Sequence, residues 1–133
     1  MHFPKIKLGV YDWHSVDYSF TKDGQKIVKG SEKIKFNITS QNNEFLFGSV
    51  LDSYKNNIGP QAIGVIKKNI NSYDIYITTN IPDSRTFIIT PTHYSCGKVD
   101  AFTGIMIEPN YSSTIFSSGT PTVASLTMKW IHK

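Results

Sequence analysis

His93, Cys96, Lys98 and Asp100 fall within eight positions and form the most enzyme-like group in the chain. A thiol becomes a nucleophile when a base lies within hydrogen-bond reach and a nearby charge lowers its pKa. Catalytic partners converge from distant positions, however, and these are close in sequence. A lone thiol beside Gly97 fits a turn better than a triad, with Gly97 at positive φ and Cys96 semi-buried beside it. Asp12 and His14 are a second pair. On a strand they share a face, as two metal ligands do. A metal needs three or four ligands, and His2, His93 and His132 have no spacing that completes the set. No metal and no cofactor is expected. Gly97-Lys98 lacks the preceding glycine of a phosphate-binding loop, and the ten acidic residues are scattered singly. Catalytic constellations are thus missing, and the chain reads as a binding protein rather than an enzyme.

The aromatic side chains carry more information. Tyr11, Trp13, Tyr18 and Phe20 cluster near the N-terminus, Tyr73, Tyr76, Phe87 and Tyr94 lie mid-chain, and Trp130 lies near the C-terminus. Aromatic residues with a polar handle line apolar pockets and anchor interfaces. Tyr11, Trp13, Tyr76 and Trp130 are the candidate ligand-binding residues. The others serve a core, β proteins being aromatic-rich in general.

These side chains must be positioned by strands. The chain has 133 residues, enough for one domain spanning 1–133. Ile occurs 17 times and Val 7, against 4 Leu and 3 Ala. β-Branched residues favour strands, and the best apolar helix formers are scarce. Period-two alternation marks Ile6–Val10, Ile34–Ile38 and Leu126–Trp130, each a strand with one buried face. Phe45–Leu51, Ala62–Ile66, Asp74–Thr79, Thr86–Thr90 and Phe102–Ile107 are apolar without clean alternation, as expected of strands partly buried on both faces or with an outer face covered by a partner. Asn, Asp, Gly and Pro clusters punctuate these runs at Lys22–Gly24, Gln41–Asn43, Asn56–Pro60, Asn69–Ser72, Ile81–Ser84, Cys96–Lys98, Pro109–Tyr111 and Ser117–Pro121. The reading is all-β: an antiparallel meander of about eight to nine strands. Short connections favour a closed up-and-down barrel over a two-sheet sandwich. The segment between Ile107 and Val123 is the one connection long enough for a crossing.

This strand pattern resembles the calycin-type barrels, the lipocalin and avidin group. The resemblance lies in the strands alone: Trp13 follows Gly9 by four positions, which is not the Gly-x-Trp signature, and Arg85 falls in a mid-chain turn. No site residue is carried over. Leu126, Met128 and Trp130 load the last strand with large apolar groups, so its face must be covered. Closure would pair Val123–His132 with Lys5–Tyr11, whose Ile6, Leu8 and Val10 offer an inward face. An odd number of strands would then need a bulge, a lost strand or a crossing.

The net charge is +4, but 13 of the 14 basic residues are lysines and Arg85 is the sole arginine. Lysine is a hydrated point charge without the guanidinium fork that reads phosphates and guanine edges. A solvated lysine face is expected, with no sequence-specific nucleic acid as partner. One cysteine forms no internal disulfide, and a reducing, cytoplasmic compartment is favoured. Residues 1–7 lack the apolar run of a secretory signal, and no stretch approaches the ~18 apolar residues of a membrane span. The functional expectation is a non-enzymatic module that holds a small or apolar ligand in a barrel interior or on an aromatic patch. The alternative is an inhibitor- or effector-like factor that docks on a partner protein through a sheet face or loops. A homo-oligomer is compatible with either.

Overall fold

Alternating residues bury one face of a pleated strand, and the strands of this chain bury theirs around a common axis. The computed structural model describes residues 2–22, 25–29, 32–51, 58–79, 85–108 and 122–132. Its strands are β1 (Gly9–Lys22), β2 (Gln25–Lys29), β3 (Glu32–Asn42), β4 (Phe45–Leu51), β5 (Ile58–Lys68), β6 (Tyr73–Thr79), β7 (Arg85–Ser95), β8 (Lys98–Glu108) and β9 (Thr122–His132). Neighbouring strands pair antiparallel from β3 to β9, and β9 returns to β1. That last ladder runs from Val10–His132 to Ser19–Val123 and closes the sheet. The fold is a closed, antiparallel, calycin-like β-barrel. No crossing occurs between β8 and β9, which pair directly from Ala101–Lys129 to Glu108–Thr122.

Closure of an up-and-down barrel needs an even number of strands, and the register shows how nine elements supply eight. Lys22 faces Gln25, Tyr18 faces Lys29, Ser15 faces Glu32 and Gly9 faces Ile38. One unshifted register therefore runs along β1, so β2 and β3 share one position beside it. They count once around the barrel.

One end of the barrel is strapped shut by the residues before β1. Lys5–Tyr11 was expected to form a strand with Ile6, Leu8 and Val10 facing inward. Instead β1 starts at Gly9, whose φ of 132° turns the chain in a way open to glycine. Ahead of it, Ile6 bridges Val99 in parallel, with Lys7 N donating to Val99 O and Val99 N to Lys5 O, both at 2.8 Å. The Gln41 side chain holds the same strap, accepting from Ile6 N and donating to Pro4 O, each at 2.8 Å. Tyr73 Oη donates to His2 O at 3.1 Å, and its ring packs on Phe3. Ile6 is buried, whereas Leu8 is 37% exposed.

From the strap to the level of Trp13, Phe87 and Met106 the interior is packed by side chains from every strand of the ring. Tyr11 and Trp13 of β1 meet Phe36, Ile38, Leu46, Ile66, Ile75, Ile77, Phe87, Ile89, Phe102, Leu126 and Met128 in one cluster. An eight-stranded barrel is just wide enough for such packing. A Cβ on Gly64 would lie 3.0 Å from Ile77 Cγ1 and 3.2 Å from Leu46 Cβ, so that level has no spare room. At Gly104 the limit is backbone: a Cβ there would collide with Ile88 O on the neighbouring β7.

The turns at the strapped end agree with the sequence. Cys96 (φ 52°) and Gly97 (φ 76°) join β7 to β8 as a two-residue hairpin turn. Asn69 Oδ1 accepts from the backbone of Asn71 and Ser72 between β5 and β6. Asn43 adopts φ 54° between β3 and β4. The turn residues expected at 23–24, 56–57, 81–84, 109–111 and 117–121 lie outside the described residues, while Ile58, Gly59 and Pro60, expected in a turn, open β5 instead.

Candidate functional site

β1 carries Tyr11 and Trp13 two residues apart, so period two sends both inward. Tyr11 is fully buried near the strapped end, against Phe102 at 5.6 Å between ring centroids. Its hydroxyl donates to Lys7 O at 2.6 Å, with Val99 O at 3.3 Å. Burial, reinforced by the Asp100 charge, raises its pKa well above the ordinary phenol value of 10.0. It remains a neutral donor. Trp13 is buried in mid-barrel, edge-on to Phe87 at 4.4 Å and Phe36 at 6.4 Å. These three rings make a floor across the interior.

Polar groups gather at one level beside that floor. Thr79 and Arg85 face each other across β6 and β7, in line with Ala62 of β5. Thr79 is buried at 4% exposure. The Arg85 guanidinium carbon stands 5.9 Å from the Trp13 ring centroid, and Nη1 lies 3.9 Å from Met106 Sδ. Trp13 Nε1 itself has no hydrogen-bond acceptor among the described residues. It is the one buried side-chain polar atom there in that state. Sequence reading placed Arg85 in a turn and missed this pairing. Arg85 is the first residue of β7, and closure of the ring brings it to a tryptophan 72 positions away.

The four candidate ligand-binding residues are divided between three places. Tyr11 and Trp13 share the interior. Trp130, paired with Tyr11 in register, is half-buried near the strap; its Nε1 donates to Leu8 O at 3.0 Å and Lys7 Nζ sits 3.8 Å from its ring centroid. Tyr76 faces the outside of β6, 38% exposed.

The two outer walls differ sharply in character. On β3, β1 and β9 two outward rows are polar: Lys35, Asp12 and Lys129 form one cross-strand row, and Lys33, His14 and Thr127 the next, with Ile131 beside them. They border an open groove of about 580 Å³. Lys35 Nζ and Asp12 Oδ1 are 3.4 Å apart, both well exposed. Asp12 is thus engaged by a lysine rather than by a metal-ligand set, and among the described residues no three His, Cys, Asp or Glu side chains gather to hold a metal. On the far side, Phe45, Val65, Tyr76, Ile88 and Ile105 make one unbroken row across β4 to β8. Phe47, Ile63, Thr78, Thr86 and Ile107 make the adjacent one. Neither row contains a charge.

The enzyme-like segment also resolves differently from its expected form. His93 lies on β7 rather than in a loop, and its Nδ1 is 2.7 Å from Asp100 Oδ1 on β8. Cys96 is exposed at the turn, not semi-buried, and among the described residues no hydrogen bond joins it to His93. Asp100 therefore orients the histidine, and the thiol has no base. No helix among the described residues is long and apolar enough to cross a membrane. Neither a family model, nor a curated protein, nor a solved structure matches this chain.

Proposed function

We propose that the protein is a non-enzymatic binding module that seats a small, largely apolar ligand inside the barrel, on the floor formed by Trp13, Phe36 and Phe87. The observation that carries this reading is the indole N–H of Trp13, which has no acceptor among the described residues. A buried donor without an acceptor costs about 1–3 kcal/mol, and a native protein retains such a group where something else satisfies it. Thr79 and Arg85 at the same level add two more polar groups to apolar surroundings. A few convergent polar groups in an apolar concavity are what a ligand site uses to fix orientation. The ligand would bring an apolar body and an acceptor group for the indole N–H. The strap seals one end, so entry would be from the end where β6 finishes and β7 begins.

The test is a fluorescence titration with 1-anilinonaphthalene-8-sulfonate, an aromatic body bearing an anionic acceptor. Saturable binding of one probe per chain is expected. Trp13→Phe should weaken it about 2- to 10-fold, the loss of one hydrogen bond, while Trp130→Phe leaves it unchanged. Absence of saturable binding would overturn the proposal. So would binding that ignores Trp13→Phe and disappears on substitution of an outward residue such as Ile63.

A further inference from the structure

We infer that the uncharged outer wall of β4 to β8 is a self-association surface, covered in solution by the same wall of a second copy of this chain. This inference is independent of the interior site. Among the described residues eight large hydrophobic side chains are exposed, and five of them lie on this wall: Ile63 at 56%, Phe47 at 42%, Phe45 at 41%, Tyr76 at 38% and Ile105 at 37%. Scattered exposed hydrophobics are ordinary, but a contiguous patch in two cross-strand rows marks an interaction surface. The β3–β1–β9 wall shows that this sequence does place lysine and aspartate outward where a wall faces water.

Three features single out a second copy as the occupant. The first is area. Five large side chains 37–56% exposed, with their half-buried neighbours, offer about 600 Å². Two such convex walls together bury at most about 1,200 Å², the low end of a specific interface. The second is self-complementarity. A two-fold axis sets a patch against itself, which is tolerable only when no like charges meet. Both rows consist of uncharged residues, and Lys67 and Asp74, of opposite sign and in register with each other, border them. Lys67 Nζ reaches to 5.8 Å from the Tyr76 ring centroid, so its charge is balanced by Asp74 at the edge of the patch. The third is long-range charge. Each copy carries +4. Wall-to-wall packing turns Lys33, Lys35 and Lys129 of the two copies away from each other, the arrangement of least repulsion.

Sedimentation velocity across about 1–200 μM protein tests this directly, a range that brackets the weak affinity expected of so small an interface. The wild-type chain should pass from monomer to dimer, and should dimerise more readily at 500 mM than at 50 mM NaCl as the +4 charges are screened. Phe47→Glu and Ile63→Glu should each raise the dissociation constant at least 100-fold. Lys129→Glu on the opposite wall should leave the dimer in place. Both wall substitutions are at exposed positions, and circular dichroism checks that each variant is folded; Ile105→Lys is the replacement if one is not. A wild-type chain that stays monomeric to 200 μM would overturn the inference and leave the wall to a foreign partner. A dimer that survives both glutamates, or that dissociates as salt is added, would overturn it equally.

Discussion

Tyr11 shows how one side chain ties the barrel to its strap. Its hydroxyl is buried and held neutral, and the proton it donates to Lys7 O is the one that high pH removes. Because folding raises this pKa, the folded chain binds the proton more tightly than the unfolded chain does. The stabilisation is therefore complete below pH 10.0 and is lost as pH rises beyond it toward the folded value. In chemical denaturation at pH 8 and pH 11, Tyr11→Phe should cost about 0.5–1.5 kcal/mol at the lower pH and much less at the higher. An equal cost at both would mean that the hydroxyl does not couple to folding. Lysines also titrate in this range, so the difference between the two proteins is the quantity that matters. Cys96 sits at the opposite extreme of influence. It is exposed, bonded to nothing that a serine could not replace, and held at a φ of 52° that a non-glycine residue adopts at some cost. Cys96→Ser should leave the melting temperature unchanged, and Cys96→Asn should stabilise by about 0.5–1 kcal/mol, asparagine being favoured in such turns. Loss of ligand binding with a retained fold in Cys96→Ser would return the thiol to the list of functional groups.

At the scale of the element, β9 combines two demands. Leu126 and Met128 are buried, and the strand must bond β8 on one side and β1 on the other. Alternation made this strand legible, as it did β3 through Phe36 and Ile38, and the start of β4 at Phe45 follows from the turn residues Gln41–Asn43 before it. Trp130 departs from the expectation of full burial. It caps the end of β9 beneath Lys7, half in water. A fully buried tryptophan costs about 3–5 kcal/mol when cut to alanine, so Trp130→Ala should cost about 2 kcal/mol while Trp13→Ala falls in the full range. Equal losses in thermal or denaturant unfolding would show that the strap contributes as much packing as the centre of the barrel. The segment before β1 was misread because Ile6, Leu8 and Val10 alternate whether or not they belong to the barrel ladder. Gly9 decides the matter by turning the chain, and a glycine in a strand-like run does not announce its φ.

The whole molecule has two faces, and the lysines explain one of them. Lys33, Lys35 and Lys129 share a wall with Asp12, which neutralises part of their field. Point charges of this kind, without an arginine fork among them, give weak attraction to phosphate that salt removes quickly. Fluorescence anisotropy with nonspecific duplex DNA should accordingly detect no submicromolar binding at physiological salt. Tight binding that weakens steeply as salt rises would make this wall a nucleic-acid surface instead of a solvated one.

The sequence alone determined the class of fold and most of its strands, because period-two alternation and turn chemistry are local properties carried by neighbouring residues. It also indicated that Phe45–Leu51 and Phe102–Ile107 were too apolar for a face left to water. What remained was decided by tertiary structure. The single position that β2 and β3 share, which makes the ring even, depends on a register continued along the β1 ladder. The meeting of Trp13 with Arg85 depends on closure around the ring, and the alignment of Phe45, Val65, Tyr76, Ile88 and Ile105 depends on four successive registers agreeing at once. A one-residue slip in any of those ladders would send one member of the row to the other face. Such coincidences belong to pairs of strands and not to any one of them, which is why both the interior site and the apolar wall became visible only in the folded chain.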